Sequence, residues 1–262
     1  MMSEDRCCSE LSVQIWPTNG SLKKNMNKTL SKLKNAIKNE SAFVEAYKVS
    51  SVKVSQNKKS FIQTGCGPNF EGDLLSQCTC RHDIRQKHTC NEWKNNWIAG
   101  ITGKLSICGK SEDTYLFYLM KVDRAFCSFK QLWNYYNEDN PSLIDAKQTT
   151  TNVLGDLYIP RNDDIDDEWK VENYINSTRK HLHFKYFNKL KDINYPEWRK
   201  QRAKKKGKKL YRVNHAKLLL GNVDRSYVWR FPKIRALGWH KTRAASYTIE
   251  EFLKILEPVN LS

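Results

Sequence analysis

Thr114–Phe126 reads TYLFYLMKVDRAF. It is rich in aromatic and aliphatic side chains, turns polar toward its end, and is too short for a core helix with strong periodicity. It reads as a strand running through the middle of a core. Two stretches upstream have the same texture, FIQTG at 61–65 and NWIAGITG at 96–103, each closed by glycine. Helical patterns follow. SFKQLWNYYNE (128–138) places Phe129, Leu132, Trp133 and Tyr136 on one face, and TIEEFLKILEP (248–258) is a C-terminal helix capped near Ser246 or Thr248. VLGDLYIP (153–160) reads as a strand and turn, and KLLLGNVDRSYVWRF (217–231) as two strands around a turn. Strands dominate, with helices between and after them. The expected class is α+β, a small strongly bent β-sheet or barrel with peripheral helices.

Residues 21–48 differ. Leu22, Met26, Leu30, Leu33, Ile37 and Val44 recur at steps of three, four and seven, which predicts an amphipathic helix or helix pair with Ser21 as a cap and a lysine-rich polar face. The expected organisation is an N-terminal helical appendage over residues 1–58 and a main domain over 59–262.

The chain has 262 residues and a formal net charge of +17. Its cations are concentrated: Trp198–Lys217 carries ten Lys/Arg and no acid, and Arg225–Arg243 six more, again without an acid. Tyr211, Tyr227, Trp229, Phe231 and Trp239 are interleaved with them. Lysines hold phosphates and exposed rings stack on bases, so this pattern points to nucleic acid. A membrane-surface helix does not fit, because Gly207, Gly221, Pro232 and Gly238 interrupt the region. The expected phosphate contacts are Lys204, Lys205, Lys206, Lys208, Lys209, Arg212, Arg225, Arg230 and Arg243. The acidic run RNDDIDDEWKVE (161–172) reads as a surface loop. No apolar run is long enough to span a membrane, and MMSEDRCCSELSVQIW lacks a basic region followed by an apolar core. The expected location is the cytoplasm, with the thiols reduced.

The richest chemistry lies in GPNFEGDLLSQCTCRHDIRQ, Gly67–Gln86. Cys78, Cys80, His82, His88 and Cys90 suggest a zinc loop, but the spacing C-x-C-x-H is unlike the usual CxxC pairs. Buried structural thiols are the preferred reading, with no metal and no cofactor. Phosphate-loop, nucleophile-elbow, HExxH and deaminase patterns are all absent. The remaining candidates are carboxylates: Asp73 and Asp83, and Asp156 behind Gly155. For each, a turn cap or an ion pair is the structural alternative to catalysis.

The order of short motifs carries one further signal. G-x-G-P-N-F, C-x-C-x-x-D-I-R, N-W-I-A-G-I-T-G, Y-L-M-K-V, F-x-x-L-W and G-D-L-Y follow one another as in the nucleotide-modification-associated domain of the second type, a bacterial and phage family akin to the PUA, ASCH and EVE barrels. The chain resembles that family over about Phe61–Pro160 and more weakly over LLLGNVDRSYVW. Asn69, Cys80, Arg85, Trp97, Gly100, Asp156 and Tyr158 stand at matching positions. Gln63 occupies a place where the family usually has an acid, and the cysteine segment is shorter. The resemblance implies a PUA-like barrel whose concave face receives a flipped, modified nucleobase, in the setting of DNA modification or phage defence. Gln63, Asn69, Arg85, Trp97 and Tyr158 would then be base-binding, with Trp97, Tyr118 and Trp229 as candidate stacking walls. The expectation is a DNA glycosylase acting on modified phage DNA, with Asp156 leading and Asp73 and Asp83 behind it. A non-catalytic reader and an RNA-binding module are the alternatives. Protein partners are not indicated.

Overall fold

The computed structural model describes residues 15–55, 57, 59–64, 67–79, 81–107, 112–152, 154–161, 173–175, 216–239 and 242–259. The opening stretch is strand β6 (Leu116–Phe126), buried over nearly all of its first seven residues. It pairs on one side with β5 (Trp97–Thr102) and on the other with β7 (Leu218–Val228), both antiparallel. Beyond β5 lies β1 (Phe43–Val49), parallel to it, and then β9 (Ala244–Thr248). Beyond β7 lies the two-residue β4 (Ser76–Gln77). The sheet is therefore mixed and six-stranded, in the order β4-β7-β6-β5-β1-β9. Two ribbons sit outside it: β2 (Val52–Val54) with β3 (Phe61–Gln63), and β8 (Ile234–Ala236) with β10 (Leu256–Pro258).

Both faces of the sheet are covered where β7 begins. Leu219 joins the main core with Leu116, Phe117 and Trp229, while Leu218 and Leu220 join a second cluster with Cys78, Leu132 and Tyr136. The alternation follows directly from the period of two along a strand. Helix α5 (Phe129–Asp139) supplies Leu132 and Tyr136 and is capped by Ser128, whose hydroxyl accepts the Gln131 N–H. Among the described residues, further short helices are α3 (His82–Arg85), α4 (Cys90–Trp93) and α6 (Ile144–Lys147). The last helix, α7 (Ile249–Lys254), opens with a capping box between Thr248 and Glu251.

Several expectations need correction. The helical reading of 21–48 holds only for α1 (Gly20–Lys24) and α2 (Leu30–Ile37), which bury Leu22, Leu30, Leu33 and Ile37. Asn27, at φ 58°, separates them. Ser21 lies inside α1 and is not its cap. From Phe43 the chain is β1, an interior strand hydrogen-bonded to β5 and β9 on either side. Among the described residues, 15–55 are not set apart from the main domain: the expected boundary falls between β2 and β3, which are paired with each other. VLGDLYIP is not a regular strand. Among its described residues it makes only isolated bridges, Gln148 to Leu157 and Pro160 to Tyr174. KLLLGNVDRSYVWRF does not reverse direction; it is the single strand β7. Its register against β6 jumps from Gly221 to Ser226, and the Asn222 side chain accepts the N–H groups of Asp224 and Arg225 within the bulge. Most of the acidic run, 162–172, lies outside the described residues. The class is α+β as expected, but among the described residues the sheet does not close into a barrel, since its outer strands β4 and β9 are not paired with each other.

Gly100 shows how tightly the centre is built. It pairs with Tyr47 on β1 and Tyr118 on β6, so all three share one face. The two tyrosines close over it, Tyr118 Oη donating to Tyr47 Oη at 3.0 Å. A Cβ at this position would lie 2.2 Å from the Tyr118 ring and 2.7 Å from Val49. Gly100→Ala should therefore cost about 2–3 kcal/mol by overpacking, read as a lower urea midpoint at unchanged slope. A midpoint equal to wild type would contradict this packing.

Candidate functional site

The Gly-Pro-Asn turn, the cysteine segment and the Gly-Asp pair meet in one buried polar network. Asn69 and Ser76 exchange backbone hydrogen bonds of 2.9 and 2.8 Å. The Asn69 amide donates to the carbonyls of Ala146 and Leu154, both at 3.2 Å, and its Oδ1 accepts from the Glu71 N–H at 2.9 Å. The ammonium of Lys147, fully buried at the end of α6, reaches Asn69 O and Oδ1 at 3.1 Å, Leu74 O at 2.5 Å and Ser76 Oγ at 3.2 Å. Asp156 completes the network. Its Oδ1 accepts from Ser76 Oγ at 3.0 Å and its Oδ2 from the Cys78 N–H at 3.1 Å. Gly155 allows this approach, because a Cβ there would lie 2.5 Å from the Gln148 carbonyl oxygen.

Burial sets the electrostatics of this cluster. It lowers Lys147 to about 8, although Asp156, Cys78 and Glu71 pull the other way. It raises Asp156, against the opposing effects of Lys147 and the Ser76 and Cys78 bonds. It pushes the Cys78 thiol far up, with Asp156 adding to the effect. The Tyr136 hydroxyl, also raised by burial with Cys78 and Asp156 beside it, has no hydrogen-bond partner among the described residues. Sequence reading found Asn69, Asp156 and Cys78 but missed Lys147, which no local pattern distinguishes from a surface lysine.

The other expected carboxylates have structural positions. Asp73 caps α1, accepting the N–H groups of Ser21 at 2.9 Å and Leu22 at 2.8 Å. Asp83 is exposed and forms a forked pair with Arg81. Asp156 itself is only 2% exposed. The five expected base-binding residues are all buried and spread over different elements. Gln63 donates to Pro68 O at 3.0 Å. The guanidinium of Arg85, 0% exposed, donates to Lys217 O, while Arg85 O accepts from Trp93 Nε1 at 3.2 Å. Trp97 is 0% exposed; its indole N–H donates to Glu40, and Lys121 and Arg225 flank its ring. Tyr158 packs edge-on against Phe129. Tyr118 and Trp229 are likewise core residues. A shallow cleft at Lys104, Asp113, Thr114 and Leu237 contains none of these residues. The thiols and imidazole also diverge: Cys78 faces Leu219 O, His88 binds Glu45, and Cys90 meets Cys127. Among the described residues no three ligating side chains converge. Cys80 and the side chain of His82 lie outside them.

Exposed positive charge gathers elsewhere. Lys23, Lys24, Lys32, Lys34 and Lys38 are exposed on α1, α2 and their flanks, and no acid occurs from Pro17 to Asn39. These helices dock on the end of β7. Asn27 Oδ1 accepts from the N–H groups of Arg230 at 2.8 Å and Phe231 at 3.1 Å, and Trp229 Nε1 donates to Lys28 O at 2.8 Å. Lys28 Nζ lies over Tyr227, and the exposed Arg230 lies over Phe231, itself 37% exposed. Arg225 is less available: it donates to Ala36 O and pairs with Glu40. Arg243 is exposed at the start of β9, away from these contacts, and its carbonyl accepts from Lys48 N. Lys204, Lys205, Lys206, Lys208, Lys209 and Arg212 lie outside the described residues. No family model, curated protein or solved structure matches the chain.

Proposed function

We propose that the protein binds DNA through the cationic face of α1, α2 and the end of β7, and accommodates a modified nucleobase as a non-catalytic reader in phage defence. One observation carries the reading. Asn27 ties the lysine-rich helices to Arg230 and Phe231, so exposed cations and an exposed ring lie on neighbouring elements, with Asp73 and Asp224 the acids that bond to α1. Cations that hold phosphates beside a ring that can stack are what a partly unpaired strand requires. The kinship with PUA-like barrels belongs to the same proposal. Its support is the motif order together with the meeting of Asn69 and Asp156 in one network. The reader is favoured over a glycosylase because Asp73, Asp83 and Asp156 are occupied in a cap, an ion pair and a buried network. A catalytic acid must stand within reach of the sugar.

Replacing Lys32, Lys34 and Arg230 together by alanine should weaken binding to any DNA sequence by tenfold or more. The slope of log affinity against log salt should fall by about one for each phosphate no longer neutralised. Equal affinity and equal slope would place the phosphates elsewhere. Phage DNA carrying modified bases should bind more tightly than its unmodified counterpart and release no free base. Release of base with alkali-labile abasic sites would instead establish the glycosylase, and tighter binding to single-stranded RNA would favour the RNA-binding module.

A further inference from the structure

We propose that Cys90 and Cys127 form a thiol–disulfide site, closing with oxidised glutathione and reopening with the reduced form. The fold brings together two cysteines 37 positions apart. Cys90 is the first residue of α4, held by the Thr89 cap, and α4 packs on β6. Backbone bonds of 2.8 Å from Asn95 N to Val122 O and from Val122 N to Asn96 O fix that packing. Cys127 directly follows the same strand, its N–H donating to Gln131 Oε1 at 3.0 Å. The two sulfurs are 2.8 Å apart, and neither is bonded. Cys78, by contrast, is buried against Leu219 O.

Exposure divides the roles. Cys127 is open to solvent and meets the oxidant first. Its thiolate attacks one sulfur of oxidised glutathione, giving a mixed disulfide and one glutathione thiolate. Cys90 then loses its proton to solvent and displaces the second glutathione. The sum is one protein dithiol and one oxidised glutathione giving one protein disulfide and two reduced glutathiones. Burial and the neighbouring Cys127 sulfur push Cys90 up to about 12, so the closing step should quicken as pH rises. The bond would fasten α4 to the corner between β6 and α5. This proposal is independent of DNA binding.

Trypsin releases the two cysteines in separate peptides, His88–Lys94 and Ala125–Lys130. After oxidised glutathione and thiol blocking, non-reducing mass spectrometry should find these two peptides joined, and excess reduced glutathione should separate them. The Cys90→Ser variant should instead hold a single glutathione on Cys127. Recovery of both peptides with free thiols, when other cysteines of the chain have been oxidised, would overturn the proposal. So would a preferred bond from Cys90 to any other cysteine.

Discussion

Replacing Lys147 by methionine should lower stability by about 3–5 kcal/mol, the cost of removing one partner from a buried charged network. Methionine fills a similar volume, so the loss is chiefly electrostatic. Leu74 O loses the Lys147 donor, Asn69 O and Oδ1 each lose one of their donors, and the buried Asp156 loses its nearby cation. The dependence on pH separates this account from a packing defect. In the folded chain Lys147 is lowered from 10.5 to about 8. Between those values the unfolded chain holds more protons than the folded one, so wild-type stability gains from this group as pH rises through the window. The variant has no such gain, and the gap between the two should widen from about pH 8 upward. Toward acid the gap should narrow, because an uncompensated Asp156 can take up a proton. Urea titrations across this range decide the matter; a gap constant with pH would leave only packing.

Glu45→Gln should cost about 1–2 kcal/mol near neutral pH and remove part of the acid sensitivity. Glu45 is buried on β1 and accepts from Lys87 Nζ at 2.5 Å and Ser246 Oγ at 2.7 Å, and pairs with His88 Nε2 at 2.8 Å. Burial alone would raise its carboxyl, but the bonds from His88, Lys87 and Ser246 outweigh it and hold the group below 4.5. A lowered carboxyl stabilises the fold above its unfolded value, and that contribution is lost as pH falls through the folded one. The variant should therefore be flatter than wild type below about pH 4.5. Lys87, 36% exposed, is partly screened by water. Parallel acid titrations of the two proteins would expose the error if the curves kept the same shape.

Much of the fold was legible where burial follows local pattern. β5 and β6 announce themselves through continuous apolar and aromatic runs, α5 through apolar residues on one face, and α7 through a cap ahead of a helical period. β1 was hidden because Glu45 and Lys48 interrupt its pattern, and because its burial depends on β5 and β9, distant in sequence. β7 was split in the reading because Asn222–Arg225 has turn chemistry, which the structure uses for a bulge. The candidate site was legible in part. Asn69 and Asp156 do come together, but Lys147 between them carries no sequence mark. The exposed cations of α1 and α2 were visible only as a polar face until Asn27 was seen to bind them to Arg230.

The position of β1 also governs when the sheet can be completed. Its bond from Glu45 to Ser246 spans 201 positions, and the parallel β5 on its other side cannot be reached by a tight hairpin. During synthesis β1 emerges about 200 residues ahead of Ser246 on its outer partner. Closing so long a loop makes folding slow, and an unpaired strand is meanwhile open to foreign partners. The carboxylate of Glu45 then acts as a guard. Until Ser246, Lys87 and His88 arrive to receive it, any other strand that buried β1 would have to bury an unmatched negative charge.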